Sequence, residues 1–210
     1  MSTIPKIRAQ LPLKSPSKHY GFCDAEIPPK KCARYRQEAS EERAQQLILI
    51  RSEEVTLLAL WNSAGLETNF SLLAKHIRRY GSNAAGNCME YSILLYDDLS
   101  HQLGPGDFQD IVKFESGDHV FNVVNQPKGT DGTYPKHFSD WDERALIVDG
   151  WLNVCCPARE YPERWRAQMH KWAARDLKLG LDGISPLDPT WLNLVDESEK
   201  ISAPFRELLW

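Results

Sequence analysis

The chain has 210 residues, 42% of them hydrophobic and 26% charged, with a formal net charge of −4. This is ordinary globular composition for one domain, or for one domain with a tail, and a chain of this length can bury a sizeable core without staples. No apolar run approaches the roughly 18 residues of a membrane span, and residues 1–20 lack the apolar centre of a secretory signal peptide.

Residues 1–38 carry Pro5, Pro12, Pro16, Pro28 and Pro29 among Ser and Lys, a pattern that predicts a flexible arm. Within residues 1–36, eight basic side chains stand against Asp24 and Glu26, a local balance of +6 that leaves −10 on the rest. Such an arm is a solvated tail or a docking element for an acidic partner or anionic membrane. Nucleic acid is not expected, because the body is acidic and the arm has few aromatics for stacking. The division predicted is 1–38 as arm and 39–210 as a single catalytic domain.

Ser40 has the character of an N-cap, with Glu41 and Glu42 following in the first turn, so a helix is expected to run to about Asn62 and stop at Gly65. Leu47, Ile50, Leu57, Leu58 and Trp61 recur at helical steps and predict its buried stripe. A shorter helix, FSLLAKHIRRY, ends at Gly81, and a third covers residues 88–102. Two β-type runs follow, DFQDIVKFE and HVFNVVN, joined at Ser116-Gly117-Asp118 as a hairpin. The run RALIVDGWL reads as a buried strand, 160–176 as a helix, and the last 30 residues as irregular. Helices, then strands, then a helix is the α+β pattern.

Five cysteines, Cys23, Cys32, Cys88, Cys155 and Cys156, are odd in number and lack a repeated CxxC spacing. A disulfide framework or ribbon-type zinc site is therefore not expected, and the spacing of His19, Cys23 and Cys32 is unlike common zinc sites. Cys88 stands where the loop Gly81 to Asn87 gives way to a helix, whose unpaired amides favour a thiolate and can receive an oxyanion. His119 opens a strand and can take the thiol proton, then protonate a leaving amine. Asp149 ends the apolar run Ala145 to Val148, where a buried carboxylate needs a partner such as the imidazole. Asp140 and Asp142 are rivals in a polar loop. Cys155 and Cys156 are read as packed cysteines, and Glu90 as an exposed acid complementing the helix dipole.

Three segments then carry a resemblance: Gly86-Asn87-Cys88-Met89-Glu90, Asp118-His119-Val120-Phe121 and Val148-Asp149-Gly150-Trp151. Over roughly residues 70–155 they resemble the papain-like superfamily, and within it the transglutaminase-like and glutamine-deamidase branch of bacterial toxins and effectors. That branch shows a Gly-x-Cys-x-Glu helix start, an Asp-His-[Ala/Val]-Phe strand and an Asp-x-Trp strand end. The resemblance implies a papain-like (transglutaminase-like) core, with the Cys at a helix N-terminus and an antiparallel sheet carrying His and Asp. It assigns Cys88 as nucleophile, His119 as base and Asp149 as the group that orients the base. The chain departs from the branch at Gly150, where Pro is frequent. It also lacks the Gln that papain-like proteases carry before the nucleophile, so Ser82 and Asn83 are the polar candidates for the oxyanion and Trp151 is a candidate cleft wall.

The expected reaction is attack of Cys88 on a glutamine carboxamide of a protein substrate, with no cofactor and no metal. By resemblance the substrate is a host protein, and the chain is a bacterial effector delivered into host cytoplasm without a signal peptide; otherwise it is cytoplasmic. A cysteine protease using the same triad and a non-catalytic protein-binding domain are the alternatives.

Overall fold

Ile4, Ile7 and Leu11 fall on one helical face, and burying that face draws the N-terminal segment onto the core. The computed structural model describes residues 3–13, 15–20, 37–64, 69–180 and 183–203. Helix α1 (Thr3–Gln10) packs against the later helix α4 (Cys88–Ser100), with Lys6 paired to Asp98. Strand β1 (Lys18–Tyr20) pairs antiparallel with β6 (Leu177–Leu179). The described part of the expected flexible arm is thus part of the fold. Pro5 sits in the first turn of α1, where its missing N–H costs no hydrogen bond, and Pro12 follows the helix end. Residues 21–36, which hold Cys23, Cys32, Pro28 and Pro29, lie outside the described residues.

Helix α2 (Gln37–Ser63) begins ahead of the expected cap, and Ser40 is a buried helical residue whose hydroxyl donates to the Pro16 carbonyl. Leu47, Ile50 and Leu58 are buried, whereas Leu57 and Trp61 are half-buried at the edge of the stripe. Helix α3 (Phe70–Arg79) is capped by Asn69, whose side-chain oxygen accepts the Leu72 N–H at 3.0 Å. Its buried Leu73, Ala74 and Ile77 face α4. Helix α4 is buried on nearly every side, its polar Glu90, Ser92, Asp97 and Asp98 included.

The larger sheet is antiparallel, in the order β5-β4-β3-β2-β7, with β2 Gln109–Phe114, β3 Val120–Val124, β4 Leu146–Asp149, β5 Val154–Pro157 and β7 Lys200–Ser202. Every residue of β3 is buried, and the Asn122 amide ties the strand to α4 by donating to the Ser92 carbonyl at 3.0 Å. Helix α5 (Tyr161–Ala173) buries Tyr161, Trp165, Met169 and Trp172 on one face. The last 30 residues are not wholly irregular: the short helices α6 (Pro189–Leu192) and α7 (Leu194–Glu197) and strand β7 lie within them, and β7 adds to the edge of β2. The chain is therefore α+β, with seven helices and two antiparallel sheets among the described residues. No helix among them is long and apolar enough to cross a membrane.

Candidate active site

The β3–β4 register pairs Asn122 with Val148 and Val123 with Ile147. That register brings the residue before β3, His119, to the same end of the sheet as the last residue of β4, Asp149. Helix α4 packs across β3 and starts at Cys88, so its N-terminus meets that end. The hairpin closes through the Phe114 N–H, which donates to the His119 carbonyl at 3.1 Å and fixes the backbone of His119.

His119 Nε2 and Asp149 Oδ2 are 2.8 Å apart, and each residue is only 1% exposed. Asp149 Oδ2 also accepts the Tyr161 hydroxyl at 2.7 Å, and Oδ1 accepts the Leu152 N–H at 2.8 Å. A carboxylate out of water requires such donors, and three meet it here. Burial pushes its pKa up, but His119, Leu152 and Tyr161 together hold it below the ordinary carboxylate value. Burial likewise works against a charged His119, yet Asp149 and Cys88 outweigh it and raise the imidazole to about 10. Tyr161, buried beside the same carboxylate, is held well above the ordinary tyrosine value and stays a donor.

Aromatic rings confine the imidazole. The Trp151 ring centroid is 5.0 Å away and that of Trp165 5.1 Å, both tilted against it. The Cys88 thiol is half-buried and donates to the Asp118 carbonyl at 3.3 Å, one residue before His119. Cys88, His119 and Trp151 line one cleft of about 130 Å³, together with Arg51, Asn87 and Trp191.

Glu90 is fully buried, not exposed: its carboxylate accepts the Asn87 N–H at 2.7 Å and takes two bonds from Arg51, at 2.8 and 3.3 Å. One acid thus closes the helix start and anchors a guanidinium at the cleft. Glu54 lies buried beside the pair; burial and the Glu90 charge push its carboxyl up to about 9, so at neutral pH it is protonated. Gly86 is required by this packing, because a Cβ there would lie 2.6 Å from Glu90 Cβ and 2.9 Å from Leu11. At Gly150 a Cβ would come within 3.0 Å of Leu95 and Tyr91 on α4.

Ser82 and Asn83 lie on an exposed 3-10 turn, Gly81–Asn83, and neither lines the cleft; Ser82 faces Ala9, Gln10 and Arg78 instead. The polar group beside the thiol is Asn87. Its Oδ1 accepts the Ser15 hydroxyl at 2.7 Å and the Ser17 N–H at 3.4 Å. Ser15 and Ser17 also receive the Trp151 indole N–H, at 3.1 and 3.2 Å. Asp140 and Asp142 stay in their loop: Asp140 accepts the Ser139 hydroxyl, and Asp142 accepts the Arg144 N–H. Cys156 is buried and pushed up to about 12 by that burial, but Cys155 is exposed, because β5 is an edge strand and alternate residues face out. Among the described residues no group of three or more His, Cys, Asp or Glu could hold a metal ion.

Tyr161, Trp165, Arg51 and the Ser15–Lys18 segment were not legible as site residues. Tyr161 and Trp165 sit on the buried stripe of α5, which in sequence is indistinguishable from core packing. Compared with protein-family models, curated proteins and solved structures, the chain matches none.

Proposed function

We propose that the chain is a thiol enzyme of the Cys-His-Asp type acting on carboxamides. The observation that carries this reading is the buried 2.8 Å bond between His119 Nε2 and Asp149 Oδ2 beside the N-terminus of the Cys88 helix. With Nε2 committed to Asp149, Nδ1 is the ring nitrogen left for the thiol. His119, whose imidazolium form Asp149 favours, first takes the thiol proton, and Sγ of Cys88 then bonds to the carboxamide carbon. The oxyanion is received by the Cys88 N–H, which has no intrahelical acceptor at the first helical position, and by the side-chain amide of Asn87, whose backbone N–H is held by Glu90. The C–N bond then breaks, ammonia leaves with the proton from His119, and a thioester remains. Water resolves the thioester to a carboxylate, or a primary amine resolves it to a new amide.

The particular reading favoured is a transglutaminase-like effector that deamidates or transamidates glutamine in a host protein, on a papain-like core. A cleft of about 130 Å³, walled by Trp151 and Trp191, suits one side chain entering end-on better than several residues held extended. The three-segment resemblance supports the same choice. Mass spectrometry of candidate host proteins after incubation with wild type and Cys88→Ala tests it. The expected product keeps its chain length, gains glutamate or an amine adduct at one glutamine, and is absent with Cys88→Ala. Fragments with new N-termini and no modified glutamine would assign the protease class instead.

A further inference from the structure

Arg51 is tied to the thiol through a single residue. Glu90, two positions after Cys88 on α4, accepts the Asn87 N–H at 2.7 Å and two bonds from the guanidinium, from Nε at 2.8 Å and from Nη2 at 3.3 Å. The plane of the guanidinium is therefore fixed relative to the first turn of α4, although Arg51 itself belongs to α2. Glu90 occupies the edge formed by Nε and Nη2 and leaves the edge formed by Nη1 and Nη2. Of the five N–H groups of an arginine, the other three have no protein acceptor among the described residues.

A residue present only to neutralise Glu90 would be buried with it. The Glu90 side chain is 0% exposed, whereas that of Arg51 is 23% exposed and lines the Cys88 cleft. The Glu90 charge keeps the guanidinium protonated against its own burial, and a Cys88 thiolate adds to that effect. Burial holds Glu54 protonated at neutral pH, so it does not compete as a carboxylate for the same N–H groups. Lys113 and Asp118 also line the cleft and offset one another in sign. Recognition by Arg51 is thus directional, from a planar fork held beside the thiol, and does not depend on an excess of positive charge.

We propose that Arg51 is a specificity residue of the Cys88 cleft, and that its remaining N–H groups receive a carboxylate lying beside the carboxamide under attack. In a protein substrate an Asp or Glu next to the target glutamine supplies that group. A planar carboxylate matches the guanidinium edge with two parallel bonds, and the bond already made to Glu90 holds the fork in place before substrate arrives. This substrate preference rests on the carboxamide-directed reading of Cys88.

The test compares alkylation of Cys88 by iodoacetate, which carries a carboxylate, and by iodoacetamide, which does not, in the full chain at constant ionic strength. The ratio of the two rates at one thiol cancels changes in reactivity common to both reagents. The double substitution Arg51→Gln/Glu90→Gln leaves the net charge unchanged and keeps a side-chain oxygen for the Asn87 N–H, so the helix start retains its cap. It should lower the iodoacetate-to-iodoacetamide ratio at Cys88 by roughly threefold or more, with Arg51→Lys intermediate. Lys75→Gln, at an exposed position outside the cleft, should leave the ratio unchanged. Protection of Cys88 from iodoacetamide by end-capped Ala-Gln-Glu-Ala should exceed that by end-capped Ala-Gln-Lys-Ala, and the difference should vanish in the double variant. An unchanged ratio in that variant, or equal protection by the two peptides in wild type, would overturn the proposal. Because each ratio is formed at one thiol, a Cys88 no faster than Cys155 would tell against the thiol-enzyme reading, whereas an unchanged ratio tells against Arg51.

Discussion

At His119 a desolvation penalty is offset by one carboxylate and one thiol, and that carboxylate is itself held by Tyr161 and Leu152. Asp149→Asn should therefore lower turnover by roughly 10³–10⁴-fold while leaving the fold in place, because an amide does not hold the imidazole in the working tautomer. Asp140→Asn and Asp142→Asn, in their solvated loop, should be mild. If Asp142→Asn proved the inactivating change, the register that places Asp149 on His119 would be wrong. Tyr161→Phe removes one of the three donors on Asp149 and should cost about 1–3 kcal/mol in denaturant unfolding. The pH dependence follows from the direction of the shift at His119. Its folded pKa lies above its ordinary 6.5, so the stability it contributes is full below pH 6.5 and lost as pH rises through about 10. The difference in melting temperature between wild type and Asp149→Asn should accordingly narrow over that interval. A constant difference from pH 6 to 10 would show that the His119–Asp149 pair is not what titrates.

Among the elements, the N-terminal segment differs most from its reading in sequence. Its prolines and basic residues suggest an arm, yet the Ile4, Ile7, Leu11 stripe is present in the letters and outweighs them. Through Ser15 and Ser17 the segment holds both Asn87 and Trp151, so it supports the site as well as the core. Deleting residues 1–20 should lower the melting temperature in circular dichroism by several degrees and abolish the preferential reactivity of Cys88. Retention of both would mean that α1 and β1 merely decorate the domain. Helix α4 shows the opposite case: its start and its apolar run were legible, and the role of Glu90 was not. A Glu at the third helical position reads as an exposed capping acid, and only Arg51, 39 residues earlier in the chain, makes its burial possible. Gly86→Ala should cost about 1–3 kcal/mol, because a Cβ there overlaps Glu90 and Leu11.

Across the whole molecule, the α+β class and the order Cys, His, Asp could be read from periodicity and strand ends, because those depend on residues close in sequence. What supports the three residues could not. Tyr161 and Trp165 come from a helix after β5, Trp191 from beyond that helix, and Ser15 from before all of the sheet, so their convergence depends on topology. The oxyanion candidates Ser82 and Asn83 failed for the same reason: nearness in sequence to Cys88 placed them on an exposed turn outside the cleft. The most direct measurement of the central claim needs no substrate. Peptide mapping after brief exposure to iodoacetamide near neutral pH should show Cys88 labelled fastest, ahead of the more exposed Cys155, with His119→Ala slowing Cys88 alone. Equal labelling of Cys88 and Cys155, unchanged by His119→Ala, would contradict a nucleophile activated by this histidine.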